Sequence, residues 1–204
     1  MLTLGAATVE RVIDLDPFAL PLGLLFPGAE IEAIRDAEPW LAPHHVDFAA
    51  GNVLLGVQSH LLRVGGLTIL IDACVGEHKP RPRRADWHDR AATGYLARLA
   101  ASGVRAEDVD LVLCTHLHAD HVGWNTQLLD GRWVPTFPNA TYLMTSVDET
   151  YVKAARPATW AESVSPVIEA GQARLVDTDF ALDDEVWLEP THVFEHSASI
   201  NTIE

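Results

Sequence analysis

The sequence predicts one layered α/β domain, in which a β-hairpin precedes a strand–helix–strand unit. Two apolar runs, Val53–Val64 and Leu67–Ala73, flank Gly65–Gly66, a two-residue turn signal because glycine adopts positive φ without strain. A helical pattern over Asp86–Ser102 is followed by another apolar run, Val109–Cys114. Strands joined through a helix in this way lie parallel, and residues 1–204 are enough for a single domain.

The flanking segments are less regular. Leu2–Asp14 is predicted as an opening strand, and the proline-rich Leu15–Asp47 as a long loop with one helical turn near Glu30–Ala37. The second half is predicted to contain a turn at the D-G pair of Leu128–Trp133, three strands and two helices. These are the strands Thr141–Thr145, Ala173–Val176 and Val186–Leu188, and the helices Asp148–Ala155 and Trp160–Ala170.

The charge balance constrains the partners. With 29 acidic and 14 basic residues the net charge is −15, which disfavours nucleic acid and anionic membranes as partners. The expected partner is a small-molecule substrate. The loop Gly76–Arg84 holds the one basic cluster, H-K-P-R-P-R-R. It could bind an anionic substrate group, although a solvated loop is the favoured interpretation.

The cysteine usage and the N-terminus predict a cytoplasmic protein. Cys74 and Cys114 each end an apolar run and are predicted to be buried packing residues rather than disulfide partners. The N-terminus lacks a basic region followed by an apolar core, and Pro17–Ala29 is too short and too broken to cross a bilayer.

The segment T-H-L-H-A-D-H-V-G-W-N concentrates potential metal ligands directly after a buried strand. His116 and His118 are two residues apart and can project together, while Asp120 and His121 turn toward a second position. Imidazole and carboxylate suit zinc, and also manganese, iron or cobalt. A polar loop without metal is the alternative, which four ligand-type residues at H-x-H-x-D-H disfavour.

Asp72 ends the buried strand Leu67–Ala73 and therefore needs hydrogen-bond partners. Supporting the metal ligands would supply them. The alternative is a turn carboxylate that binds local backbone before Gly76.

The same residues resemble a known family. T-H-L-H-A-D-H-V-G-W-N resembles the signature of the metallo-β-lactamase superfamily, and L-I-D-A-C-V-G resembles its preceding acidic strand. The segments G-E-H-K-P-R, D-G-R-W-V-P-T-F-P-N-A and S-V-S-P-V-I-E-A-G are similar to the branch of methyl parathion hydrolases and N-acyl homoserine lactone lactonases. The resemblance runs from about Val46 to Thr191.

The resemblance implies an αββα sandwich and a zinc-dependent hydrolase with two metal ions. His116 and His118 would hold the first metal, and Asp120 and His121 the second, with Asp72 steadying the ligand loop. Metal-activated hydroxide would attack an ester, lactone or phosphotriester. Asp120 would also orient the nucleophile or carry its proton.

The family pattern changes near the C-terminus. After L-E-P-T the family has P-G-H-T-P-G-H, whereas this chain continues H-V-F-E-H, so that either His192 or His196 could replace the expected ligand. No aspartate follows Asp184. The sequence therefore predicts a domain truncated relative to the family after about residue 191, with the second half of the sandwich incomplete. An uncovered sheet edge favours association, for which a homodimer is one form.

Three functional hypotheses remain open. The chain is an active metal-dependent hydrolase, a catalytically impaired fragment with a partial metal site, or an oxidoreductase or nuclease of the same superfamily. No additional cofactor module or nucleic-acid-binding patch in the sequence supports the third hypothesis.

Overall fold

The computed structural model describes residues 1–184 and 186–189. These residues form ten strands and seven short α-helices, together with 3-10 turns at Pro39–Leu41, Ala106–Asp108 and Gly123–Asn125 and a π-helical turn at Trp160–Val164. The strands are β1 Leu2–Leu4, β2 Ala7–Pro21, β3 Val46–Asp47, β4 Asn52–Val64, β5 Leu67–Ile71, β6 Leu111–Leu113, β7 Thr126–Leu129, β8 Arg132–Pro135, β9 Thr141–Thr145 and β10 Ala173–Val176. The helices are α1 Leu22–Leu25, α2 Ile31–Ala37, α3 Tyr95–Ala101, α4 Ala119–Val122, α5 Ser146–Ala155, α6 Pro157–Thr159 and α7 Ser165–Glu169.

Eight of the described strands form one mixed sheet in the order β1-β2-β4-β5-β6-β9-β10, with β3 paired to the start of β4. The pairs from β1 to β5 are antiparallel, whereas β5, β6, β9 and β10 run parallel. Strands β7 and β8 form a separate hairpin. The carboxyl ends of four neighbouring strands therefore lie at one edge of the large sheet, where sheets of this kind place their binding sites.

Both faces of the parallel strands are apolar. Leu70, Val112 and Tyr142 belong to the larger core, which the helices α3, α5 and α7 cover. Ile69 and Leu143 point to a second cluster, against which Phe180, Leu182, Val186 and Leu188 pack. Burial on both faces explains why these strands are nearly continuous runs of apolar residues. The predicted α/β layered architecture is confirmed. The second large sheet of the sandwich does not occur within residues 1–184 and 186–189.

The predicted hairpin is confirmed in its strands and in its turn. β4 and β5 pair antiparallel, and both turn residues have positive φ, 57° at Gly65 and 83° at Gly66. The crossover from β5 through α3 to the parallel β6 is also as predicted.

The assignment of Leu15–Asp47 to a loop was wrong in its first part. β2 extends to Pro21 because it pairs with β4 along its whole length, and register shifts around Leu15 accommodate the segment containing Pro17. The later part contains α1, α2 and β3, of which α2 matches the predicted helical turn.

The helix predicted over Asp86–Ser102 forms only from Tyr95 to Ala101. Positive φ values of 46° at Asp89, 52° at Ala92 and 76° at Gly94 are incompatible with a continuous helix. The predicted strand Val186–Leu188 is likewise absent, since the described residues there make only an isolated bridge between Ala181 and Trp187.

Two further predictions concern burial and membranes. Cys74 and Cys114 are buried free thiols, as predicted. None of the helices in the described part of the chain has the length and apolarity to span a membrane. His192 and His196 lie outside the described residues.

Candidate metal centre

The site lies at the carboxyl ends of β5 and β6. Ile71 pairs with Leu113 at the end of this parallel ladder, and the Asp72 amide donates to the Leu113 carbonyl at 2.9 Å. Asp72 then leaves the strand with a φ of 59°. The segment that begins at Thr115 leaves the neighbouring strand β6 at the same edge of the sheet. Asp72 and Thr115, which are distant in sequence, therefore begin adjacent loops.

The Asp72 carboxylate links these two loops. It accepts hydrogen bonds from the Thr115 amide at 2.8 Å, from the Thr115 hydroxyl at 2.8 Å and from the ring N–H of His121, Nδ1, at 2.8 Å. Bonds to an ionised carboxylate are stronger than those between neutral groups. Asp72 thus bonds the histidine segment rather than only local backbone, which the alternative required. Its support of metal ligands remains a prediction.

Backbone contacts hold the same two loops together. The Ala73 amide donates to the His121 carbonyl at 2.6 Å, the Trp124 amide to the Ala73 carbonyl at 2.6 Å, and the Gly123 amide to the Cys74 carbonyl at 2.7 Å. A Cβ atom at position 123 would lie 1.9 Å from the Val75 carbonyl oxygen, so only glycine fits. Gly123 in the H-x-H-x-D-H-V-G motif is therefore explained by close backbone approach.

The Asp14 carboxylate is hydrogen-bonded to the loop after β5, and the sequence analysis did not identify this residue. This carboxylate is 5% exposed and accepts from the Val75 amide at 3.1 Å, from Arg90 at 2.7 Å and from the Trp124 indole at 3.4 Å. The available signal was its spacing: Asp14 lies two residues after the buried Val12 and so shares its inward face.

The predicted ligands come together in the two predicted pairs. His116 Nε2 and His118 Nδ1 are 3.1 Å apart, and His121 Nε2 lies 3.5 Å from an Asp120 carboxylate oxygen. The rings of His116 and His121 also approach, with centroids 3.9 Å apart, so the two pairs adjoin each other. The Thr115 hydroxyl lies within hydrogen-bond distance of His116 Nδ1, at 3.1 Å.

The surroundings shift two of these imidazoles in opposite directions. Burial, together with the neighbouring His121 and His118, lowers the pKa of His116 to about 3. For His121, burial acts to lower the pKa, but the hydrogen bond to Asp72 and the charges of Asp120 and Asp72 outweigh it, so the pKa is raised. At neutral pH His116 is thus a neutral imidazole, whereas His121 holds its proton more strongly than an ordinary histidine.

These residues fit a metal in donor type and in pairing, but not in number. The 3.1 Å between the facing nitrogens of His116 and His118 is close to the roughly 3.3 Å expected for two nitrogens on one tetrahedral zinc ion. Within the described residues, however, no group of three or more His, Cys, Asp or Glu side chains is arranged to hold an ion by itself. The assignment of His116, His118, Asp120 and His121 as ligands remains a prediction.

The sequence comparison identifies the family. The family described as Metallo-beta-lactamase superfamily matches residues 53–201, which include the hairpin, the crossover and the whole histidine segment. The chain therefore belongs to the metallo-β-lactamase superfamily.

Solved structures with the same fold include hydrolases and lactonases. A probable metal-dependent hydrolase from Staphylococcus aureus superposes with a TM-score of 0.69 at 16% identity, over 90% of this chain and 63% of that one. The hydrolase AbOPH of the β-lactamase superfamily gives 0.64 at 22% identity, over 87% and 60%. AidC, described as a dizinc quorum-quenching lactonase, gives 0.61 at 16% identity, over 89% and 62%. At these identities the likeness establishes the fold.

Curated sequences that match locally are ribonucleases. The Ribonuclease Z of Mycolicibacterium paratuberculosis is 37% identical over 79 residues, which are 39% of this chain and 22% of that protein. The Ribonuclease Z of Mycobacterium sp. (strain KMS) is 30% identical over 112 residues, 55% and 30% of the two chains. The chain thus spans less than a third of the length of these two relatives.

Replacing Gly123 tests the close contact between the two loops. We expect Gly123→Ala to lower the free energy of unfolding by about 3 kcal/mol or more, or to prevent folding, because the new methyl group would overlap the Val75 backbone. Gly23→Ala is the control, since a Cβ there meets nothing within 4 Å. Urea unfolding measures both; equal stability of the two variants would contradict the contact.

Replacing Asp72 by asparagine tests its charge while keeping its shape. In the metal-free protein we expect Asp72→Asn to lower the pKa of His121, measured by NMR titration of the imidazole nitrogens. Because the folded-state pKa of His121 is raised, its stabilising effect is full below the unfolded value of 6.5 and is lost as pH rises through the folded value. Asp72→Asn should therefore destabilise more at pH 6 than at pH 8. Exposed Asp36→Asn serves as control, and an unshifted His121 would refute the charge coupling.

Proposed function

We propose that this protein is a metal-dependent hydrolase that cleaves lactone or related ester bonds at the histidine cluster. The observation that carries the proposal is the pairing of His116 with His118 and of Asp120 with His121, fixed by Asp72 at the carboxyl edge of a sheet with this family's fold. We propose zinc as the metal, with manganese, iron or cobalt as alternatives.

The chain's own residues have separate tasks in this proposal. His116 and His118 would present ring nitrogens to one ion, for which the low pKa of His116 is suited because it carries no extra proton at neutral pH. Asp72 accepts the Nδ1 proton of His121 and so leaves Nε2 as the ligand nitrogen. Asp120 is the one carboxylate of the set and would orient the attacking water or accept its proton.

The bound metal would supply an activated nucleophile at neutral pH. Zinc lowers the pKa of a coordinated water to about 7. Apart from this contribution, the protein would position the ligands and Asp120. The further ligands needed to complete two zinc sites would come from outside the described residues, for which His192 and His196 remain the proposed sources.

The substrate class is proposed from the structural neighbours. AidC is described with a product of lactone hydrolysis, N-hexnoyl-L-homoserine, and AbOPH is described as a hydrolase. A net charge of −15 is compatible with a neutral, small substrate such as an acyl lactone. We therefore place acyl lactones first and aryl esters and phosphotriesters second.

Activity measurements test this function directly. We expect acyl lactones to be hydrolysed in the presence of zinc, cobalt or manganese. Asp120→Ala should reduce kcat/KM by roughly 100-fold or more, because it removes both a proposed metal ligand and the proposed proton acceptor. Asp36→Ala, at an exposed position of α2, is the matched carboxylate control. If lactones, aryl esters, phosphotriesters and RNA all stay uncleaved while metal is bound, the chain is the impaired form rather than a hydrolase.

Metal binding is a separate prediction, measured by calorimetry and elemental analysis. We expect His116→Ala and His118→Ala each to weaken zinc affinity by at least roughly tenfold, since each removes one nitrogen of the facing pair. His44→Ala, at an exposed position, should leave affinity unchanged. A purified wild-type chain that binds no zinc at all would overturn the assignment of these ligands.

Ribonuclease activity is the second candidate. The local matches to Ribonuclease Z favour it, whereas the strongly acidic composition opposes binding to an RNA backbone. An RNA substrate added to the same assays decides between them. Cleavage of RNA with no turnover of lactones would replace the first proposal by the second.

A further inference from the structure

The loop 76–84 is not the solvated basic loop that its sequence suggests. Lys79 is 0% exposed, and its ammonium group donates to the Thr126 hydroxyl at 2.6 Å and to the Glu162 carbonyl at 3.1 Å. The ammonium also lies 3.5 Å from the centroid of the Trp133 ring. The loop is therefore fastened to the β7–β8 hairpin and to the π-helical turn 160–164.

Next to Lys79, Arg81 is fixed in the same way. It is 7% exposed and pairs with the Glu162 carboxylate at 2.8 Å through Nη1, which also donates to the Pro80 carbonyl. Its Nε and Nη2 groups are buried without a hydrogen-bond acceptor in the described part of the chain. Arg81 is thus held in place with part of its donor capacity unused.

A cavity of about 390 Å³ opens between this loop and the end of α5 together with α6. Four arginines line it, Arg81, Arg83, Arg84 and Arg156, and the described lining residues include no Asp or Glu. The remaining walls are largely apolar, with Pro80, Pro82 and Pro157 among them. Four of the 14 basic residues of a chain with net charge −15 therefore surround one cavity.

Arg84 shows the same incomplete use of donors as Arg81. Its guanidinium lies over the faces of Phe18 and Trp87, at 5.5 and 5.0 Å from the ring centroids. These contacts orient the group but use none of its N–H donors, and Nε and Nη2 lack an acceptor among the described residues. Buried N–H groups without acceptors are unfavourable, and the positive charge of these guanidinium groups at the cavity wall would attract an oxyanion.

We propose that this arginine-lined cavity is a binding site for a small organic phosphate, separate from the histidine cluster. Guanidinium groups match the geometry of phosphate oxygens, and a phosphate monoester is close to a dianion at neutral pH. The proline walls fit an apolar group attached to the phosphate, and the volume falls within the range of small-molecule sites. None of the lining residues belongs to the segment Thr115–Asn125.

Phenyl phosphate is the probe for this site, compared by calorimetry with inorganic phosphate and with uncharged phenol at constant ionic strength. The full-length chain should bind one phenyl phosphate, inorganic phosphate more weakly and phenol not at all. Arg84→Gln and Arg156→Gln should each weaken binding at least about tenfold by removing charge-assisted hydrogen bonds. Arg132→Gln, which removes the same charge at an exposed position on β8, should bind as wild type.

Three results would overturn the proposal. The first is no binding of phenyl phosphate up to about 10 mM, beyond which an affinity carries little specificity. The second is equal loss in Arg132→Gln, which would indicate general charge attraction. The third is binding that is lost in His116→Ala but kept in Arg84→Gln, because the anion would then occupy the histidine cluster. Thermal melting of Arg84→Gln checks its fold, and Arg156→Gln gives the answer if Arg84→Gln does not fold.

Discussion

The position of the histidine segment depends on the carboxylate of Asp72. Three of its hydrogen bonds cross from the end of β5 to the segment after β6, two to Thr115 and one to His121. A half-buried carboxylate is unfavourable unless its oxygens are bonded, and here the bonding groups all belong to the segment it orients. The same hydrogen bonds therefore satisfy the buried charge and orient the segment that holds the candidate ligands.

The backbone of the loop after β5 has further contacts of its own. Asp14 binds the loop after β5 and the Trp124 indole, and Gly123 lets that loop touch the histidine segment directly. Both contacts fall on Val75 and Gly76 and do not involve the side chains of the histidine cluster. A charged residue inside β2 and a glycine inside the histidine motif thus serve one purpose, and neither needs to touch substrate or metal.

Some of this arrangement is readable from the sequence because its signals are local. The Gly65–Gly66 turn and the apolar run of β6 each depend on neighbouring residues, and both were located correctly. The extent of β2 was not predictable in this way, because its second half is a strand only through pairing with β4. The burial of Lys79 was missed for the same reason: its acceptors, Thr126 and Glu162, are distant in sequence. A run of basic residues looks solvated until the groups that neutralise it are known.

The two oppositely shifted histidines have a consequence for cation binding. A proton and a metal ion compete for the same ring nitrogen, so the ligand whose pKa is raised determines how binding varies with pH. His116, with a pKa near 3, carries no proton to displace at any physiological pH. His121 does, because Asp72 and Asp120 favour its charged form. Those carboxylates would also attract a metal ion. They would therefore raise the affinity of the site for the ion, while binding would require release of the His121 proton. His116 would accordingly accept a cation over a wider pH range than His121, although both residues lie in one short segment.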